Sequence, residues 1–222
     1  MCDSISTRSR REREKLKRRN DIIEAAEKRF FEKGFDEVTM DDIAGNLELS
    51  KATLYLYFKN KQSLYFSVVI RGMVLLRDAF KKAIESETTG LKKVLAITHS
   101  FYEYMQSYSN YYRLNRSVRG ERFTNMLKYN EIEDAEAYIG LTVELLNLLK
   151  DAIILGVEDG TIRKELDPLR TTMFLGVAIE AVVQVPPEYQ LLLQQFGLTK
   201  EEYIQHSINV LLRGIAGEQA NI

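Results

Sequence analysis

Three prolines, twelve glycines and one cysteine in 222 residues set the first limits. So few chain breakers disfavour a strand-and-turn architecture and favour long helices. Cys2 cannot close an internal disulfide, and no Cys/His group has metal-ligand spacing. A reducing, cytoplasmic setting with no metal or other cofactor is therefore expected. The only histidines are His99 and His206, and no phosphate-loop glycine pattern occurs, so an enzyme would lack an obvious nucleophile–base pair. Long apolar runs are missing too. SVVIRGMVLL and FLGVAIEAVVQV are interrupted by Arg71 and Glu180 and are short for a membrane span. The basic N-terminus has no apolar stretch behind it, so no secretory signal is expected.

What is present is a 45% hydrophobic chain with 31 basic and 32 acidic residues, enough for a real core in one large domain or two small ones. The charge is balanced overall but not locally. Residues 1–19 hold eight Lys/Arg against three acids, residues 20–48 hold nine acids against three bases, and residues 49–65 hold three lysines and no acid. The basic segments can attract phosphates, although a run of like charge is also the ordinary composition of a solvated tail.

The periodicity is helical. Ile22, Ala26 and Phe30 predict an amphipathic helix from about residue 18 to 33, stopped by Gly34. Thr39 and Asp42 have capping-box spacing for a short second helix with Ile43, Ala44 and Leu47 inward. Ser50 is an N-cap for a third helix to about residue 58, and Asn60 for a fourth that starts at Lys61. Helices so closely spaced read as a helix-turn-helix unit. Helical spacing continues over 91–108, 110–120, 131–159 and 199–216, and Asp167-Pro168 starts a further helix that ends at Pro186-Pro187. The expected fold is all-α, with about nine helices in total. A basic, flexible arm covers 1–19, a three-helix helix-turn-helix domain 20–65, and a larger helical bundle 66–222.

On a helix over 50–58, Leu54 and Phe58 share the apolar face. Ser50, Thr53 and Tyr57 line up on another by i, i+3, i+7 spacing, with Lys51 and Tyr55 on the flank beside it. Hydroxyls, phenols and an ammonium near a helix N-terminus can donate to phosphate oxygens, and a short side chain such as Thr53 lets a helix approach base edges. The same pattern also fits a short helix whose tyrosines merely pack.

T-x-x-x-I-A at Thr39, Ile43 and Ala44, then S-x-x-T-L-Y-x-Y-F-x-N-K-x-x-L from Ser50 to Leu64, resembles the DNA-binding signature of the TetR/AcrR (tetracycline-repressor-like) transcriptional regulators. I-I-E-A-A-E-K-R-F-F-E-K-G-F, from Ile22 to Phe35, is similar to that family's first helix. The resemblance covers about residues 18 to 65. A G-V-E-D-G-T-I-R-K-E-L-D-P passage is similar, more loosely, to the family's seventh and eighth helices. The resemblance implies a ligand-responsive regulator, a repressor in the commoner case, that binds a palindromic double-stranded operator as a homodimer. It implies that Thr39 caps the second helix and bonds a phosphate. Ser50, Lys51 and Thr53 would enter the major groove or touch its rim, Tyr55 and Tyr57 would grip phosphates, and Lys61 would clamp the backbone. Where the family usually has glycine, between the second and third helices, this chain has Glu48, which must tolerate the turn and brings a carboxylate near DNA. Asp41 adds another. Arg8 to Arg19 is expected to offset this acid by long-range or minor-groove attraction.

In the second half, Val177, Ala181 and Val185 on one helix and Ile204, Ile208 and Leu211 on another fit intrachain core taken singly. With the resemblance, the two helices as a pair predict a dimer interface. The aromatic-rich middle supplies Tyr102, Met105, Tyr108, Phe123 and Met126 for a mostly apolar effector pocket with His99 as polar anchor, against the plainer reading as core. Arg113, Arg116, Arg119 and Arg122 recur every third residue, as a solvated face, an anionic-ligand site or a contact with the DNA-binding domain. The competing class is a helical adaptor that uses its helix-turn-helix for protein contacts, and salt-dependent, sequence-selective DNA binding separates the two.

Overall fold

A computed structural model describes residues 2–118 and 134–220, with side chains from residue 10 onward. Helix α1 (Cys2–Glu37) is broken at Gly34, whose φ of +79° lies in the left-handed region that glycine enters at little cost. No glycine or proline precedes Gly34. The basic segment read as an arm is therefore helical, continuous with the part that packs, and Arg10 and Glu14 pair along it at 2.9 Å.

Nine further helices follow among the described residues: α2 (Met40–Asn46), α3 (Lys51–Tyr55), α4 (Lys61–Ile84), α5 (Gly90–Ser107), α6 (Ser109–Val118), α7 (Ala135–Glu158), α8 (Pro168–Val183), α9 (Pro187–Gln195) and α10 (Lys200–Ile215). Among the described residues the fold is all-α, and an isolated bridge between Ile162 and Ala216 is the sole strand-like pairing. Helix α9 was not expected. The paired prolines predict a stop after α8, but Pro187 also suits the first turn of a new helix, where its missing N–H leaves nothing unpaired.

The chain groups into two units, Met1–Val74 with Tyr108–Leu141, and Leu75–Ser107 with Thr142–Ile222. In the first, Ile22, Ala26 and Phe30 of α1 pack against Ile43, Leu54, Phe58 and Tyr65, all buried. The Phe30 and Tyr65 rings meet edge to face at 4.9 Å, and the Tyr65 hydroxyl donates to the Leu114 carbonyl at 3.0 Å. Burial pushes the Tyr65 phenol up to about 12. Helix α6 lies on α1: the Tyr111 hydroxyl donates to Glu27 at 2.6 Å, and its ring meets Phe31 edge-on at 4.9 Å.

In the second unit α5 and α7 cross in backbone contact. A Cβ on Gly90 would lie 1.9 Å from the Gly156 nitrogen, so only glycine fits there. Asp159 fastens the crossing, accepting from the Gly90 N–H at 2.7 Å and from the Thr161 hydroxyl and N–H at 2.5 and 2.9 Å. Helix α8 starts on the Asp167 cap, and α10 on a capping box of Thr199 and Glu202. Among the described residues, no single helix is long and apolar enough to cross a membrane; α8 and α9 pass that test only as a pair bent by 64°.

Candidate nucleic-acid interface

Thr39 opens α2 from an extended backbone (φ −107°, ψ 160°). Its hydroxyl accepts from the Asp42 N–H at 3.1 Å, and Asp42 accepts in return from the Thr39 hydroxyl at 2.6 Å and N–H at 2.8 Å. Those bonds, the hydroxyl's foremost, hold the Asp42 carboxyl below its ordinary value. The exposed Thr39 thus spends its hydroxyl on fixing where α2 begins. At the other end the Leu49 N–H bonds the Ala44 carbonyl at 3.0 Å and the Glu48 N–H bonds the Gly45 carbonyl at 3.3 Å. This is the paired pattern of a Schellman ending, whose left-handed position glycine usually fills. Here Glu48 fills it, at φ +54°.

That turn sets the direction of α3. The Ser50 hydroxyl accepts from the Thr53 N–H at 3.1 Å and shares a 2.8 Å hydrogen bond with the Thr53 hydroxyl. Leu54 and Phe58 go into the core, each worth roughly 1.5–3 kcal/mol of burial. On the other side Ser50, Lys51 and Tyr55 are exposed, and Thr53 and Tyr57 half-buried. The Lys51 ammonium meets the Asp41 carboxylate at 2.7 Å, and that hydrogen bond, then the charge, raises the lysine's pKa. Asp41 therefore meets its own cation inside this surface. Leu56 is 78% exposed beside these polar groups. The sequence reading passed over it, although its spacing of three from Thr53 puts it on the same face.

Two cations expected at the DNA turn inward. Lys61 is half-buried; its ammonium donates to the Phe35 and Val38 carbonyls at 2.8 and 2.9 Å and lies 4.2 Å above the Phe35 ring. It satisfies carbonyls in the α1–α2 connection, a need that a basic position in a motif does not announce. The resemblance implied a backbone clamp at this position; here the ammonium is engaged within the fold. Arg19 stacks on Phe58 at 4.8 Å and bonds Asp134 at 3.1 Å and Ser67 at 3.2 Å. Exposed hydroxyls, a phenol, a paired ammonium and one apolar tip remain around the first turn of α3, a set suited to a duplex groove.

Residues 22–68 match the model for bacterial regulatory proteins of the tetR family. The chain is 30% identical over 97 residues to the HTH-type transcriptional activator FasR of Mycolicibacterium smegmatis, a match spanning 44% of each chain. It is 25% identical over 163 residues to the fatty acid metabolism regulator protein of Bacillus subtilis, covering 72% of this chain and 79% of that one. The structure of FadR from Bacillus subtilis in complex with stearoyl-CoA superposes with a TM-score of 0.64, covering 87% of this chain and 95% of that one at 21% identity. Residues 22–68 therefore carry a tetR-family DNA-binding segment. The relatives and structural neighbours named as regulators, rather than as enzymes, support a DNA-binding transcriptional regulator.

Of the expected effector residues, His99, Tyr102 and Met105 lie on α5. His99 is exposed on α5 beside an open groove of ≈ 450 Å³ lined by Glu87, Lys92, Leu95 and Ala96. Tyr102 donates to Glu201 and accepts from Gln106, both at 2.9 Å. Burial first, then the Glu201 bond, raises its pKa. Met105 is half-buried in the same unit, whereas Tyr108 is exposed in the other. Phe123, Met126, Arg119 and Arg122 lie outside the described residues. Arg113 lies in the same unit as α1 and donates to the Phe31 carbonyl and, at 3.2 Å, to Asn110.

The expected dimer set divides. Val177 and Ala181 are exposed and Leu211 is half-buried, but Val185, Ile204 and Ile208 belong to the core of their own unit. An apolar stripe marks the side of a helix that avoids water, and on α10 that side packs within the chain.

Proposed function

We propose that this regulator represses transcription by binding a palindromic operator as a two-fold dimer, and that a small, largely apolar effector releases it. The observation that carries the reading is the first turn of α3, which exposes Ser50, Lys51 and Tyr55 above the buried Leu54 and Phe58. With this turn in the major groove, Ser50 and Thr53 lie closest to base edges and phosphate rim, and Leu56 offers an apolar contact for a thymine methyl. Lys51 exchanges its Asp41 partner for phosphate, and Tyr55 and Tyr57 donate to the backbone. Thr39 and Lys61 act by placing α2 and the α1–α2 connection.

Dimerisation is supported by exposed Met173, Phe174, Val177 and Ala181 on α8, opposite the buried Leu175, Ile179 and Val183. Two-fold pairing on such a face sets two α3 helices at a fixed spacing, which a palindrome mirrors. An apolar effector is supported by relatives named for fatty acid metabolism and by the FadR–stearoyl-CoA structure. A long-chain acyl thioester is accordingly the probe of first choice. Helix α4 contributes residues to both units. A ligand that favours one setting of α4 therefore shifts the population of DNA-competent dimers.

Selection from random-sequence DNA with the purified protein, followed by footprinting with and without stearoyl-CoA, tests this. The expected result is a two-fold-symmetric footprint that weakens as salt rises and fades on adding the thioester. Binding without sequence selection, or a single half-site footprint at every protein concentration, defeats the dimeric-reader proposal. An occupancy indifferent to stearoyl-CoA defeats the effector class alone.

A further inference from the structure

Arg11, Lys15 and Arg18 recur at intervals of four and three, so the continuous helix α1 stacks them on one face. They border an open groove of ≈ 700 Å³ whose other walls are Glu14, Lys17, Asp21 and, from the end of the DNA-reading segment, Tyr57. One of the groove's two acids, Glu14, is already paired with Arg10. Arg11, Lys15, Lys17 and Arg18 make no ion pair among the described residues. The groove is thus positive, and it shares Tyr57 with the α3 surface.

The backbone beneath it is stiff. Helix α1 meets no glycine or proline before Gly34, and its later turns are anchored by buried Ile22, Ala26 and Phe30. From Arg11 to Arg18 the charges extend about 10 Å along the axis. A flexible arm would pay entropy to order on DNA; a helix that already carries its charges in register pays far less.

We propose that this groove is a second DNA-contact site, which holds sugar-phosphate backbone flanking each half-site as a rigid extension of the reader. It rests on the reading of α3 as the element that enters the major groove. The Arg11, Lys15 and Arg18 side chains take the phosphates, and Tyr57 joins the two sites. Such contacts lengthen the footprint and steepen the salt dependence without adding sequence preference.

The test uses the full chain and two duplexes carrying the selected operator, one ending at the half-sites and one extending a helical turn beyond each. The wild type is expected to bind the longer duplex more tightly. In the triple variant Arg11→Gln/Lys15→Gln/Arg18→Gln that gain disappears, and the slope of log affinity against log salt shrinks by about two to three per protomer on the long duplex. Binding to the short duplex stays the same. Equal affinity and slope for wild type and variant on the long duplex overturn the proposal. Leu16→Pro keeps every charge but breaks α1 at an exposed position. Loss of the long-duplex gain in that variant supports a rigid groove, and its retention overturns it in favour of a flexible arm. If the wild type selects neither duplex over random DNA, the α3 reading fails and this proposal with it.

Discussion

The surface of α2 and α3 is polar above an apolar floor, whereas α8 and α9 expose apolar side chains. In the first region three polar pairs form at short sequence range: Thr39 with Asp42, Ser50 with Thr53, Lys51 with Asp41. In the second, Met173, Phe174 and Val177 stand out from α8, and Tyr189, Leu191 and Phe196 from α9 and its cap, while α9 buries nothing. Spacing rules orient the first region because a cap or an ion pair has one geometry that satisfies it. They leave the second open, because an apolar stripe is equally content against its own chain or a second copy.

The largest effect should come from breaking the core beneath the second region, where α10 packs against α8. Ile208 is 1% exposed, so Ile208→Ala should cost about 2–5 kcal/mol of stability, read by denaturant unfolding at any protein concentration. Val177 is 72% exposed. Val177→Glu should leave the monomer's stability within about 0.5 kcal/mol but shift sedimentation from dimer to monomer and abolish cooperative operator binding. The reverse pattern, a concentration-dependent loss for Ile208 and none for Val177, would return α10 to the interface.

Next comes the contrast between two lysines of the first region. Lys61→Met removes an ammonium from two carbonyls and a ring, and should cost about 2–3 kcal/mol while leaving the salt slope of operator binding unchanged. Lys51→Met should leave unfolding where it was and lessen the salt slope by about one. Paired salt titrations separate the two roles, and a lessened slope for Lys61→Met would restore the phosphate clamp.

Much of both regions could be read from the chain, and the reason is locality. Gly34, Thr39, Ser50, Asn60 and Asp167-Pro168 act within one helical turn, and the structure breaks α1 at Gly34 and starts a helix at each of the others. Leu54 and Phe58 were legible because their four-residue spacing leaves them only one common side. Lys61, Arg19 and Arg113 were not, because their partners are remote carbonyls, rings and acids that no spacing reveals. The burial of Val185, Ile204 and Ile208 within the chain was not legible for the complementary reason, since hydrophobicity carries no address.

A smaller effect distinguishes the acids. Asp42 caps an exposed helix, whereas Asp159 ties two segments of its unit together. Burial pushes the Asp159 carboxyl up, but the bonds from Thr161 and Gly90 outweigh it and hold the group below its ordinary value. Its contribution is therefore complete above the ordinary carboxylate pKa and disappears as pH falls through the lowered folded value. Asp159→Asn should cost about 1–2 kcal/mol near neutrality and flatten the acid side of the melting-temperature profile. An unaltered acid limb would show that the stabilisation lies elsewhere.

The smallest effect lies in the turn that aims α3. Glu48 holds φ +54°, which costs a side-chain-bearing residue roughly 1–2 kcal/mol. Glycine avoids that strain but gives back about 0.5–1 kcal/mol in chain entropy, so Glu48→Gly should stabilise by only about 0.5–1 kcal/mol. Glu48→Ala keeps the Cβ, and with it the strain, and should leave stability unchanged. Both remove the carboxylate beside α3, so both should tighten operator binding by a similar factor, more at low salt than at high. Gly34→Ala is the mirror case: at φ +79°, with no atom within 4 Å of the added carbon, it pays the strain alone and should destabilise. Unfolding midpoints and salt titrations on the three variants separate strain from charge. If Glu48→Gly and Glu48→Ala unfold alike, the strain only matches glycine's entropy cost, and the chain has lost no stability by placing an acid where glycine usually stands.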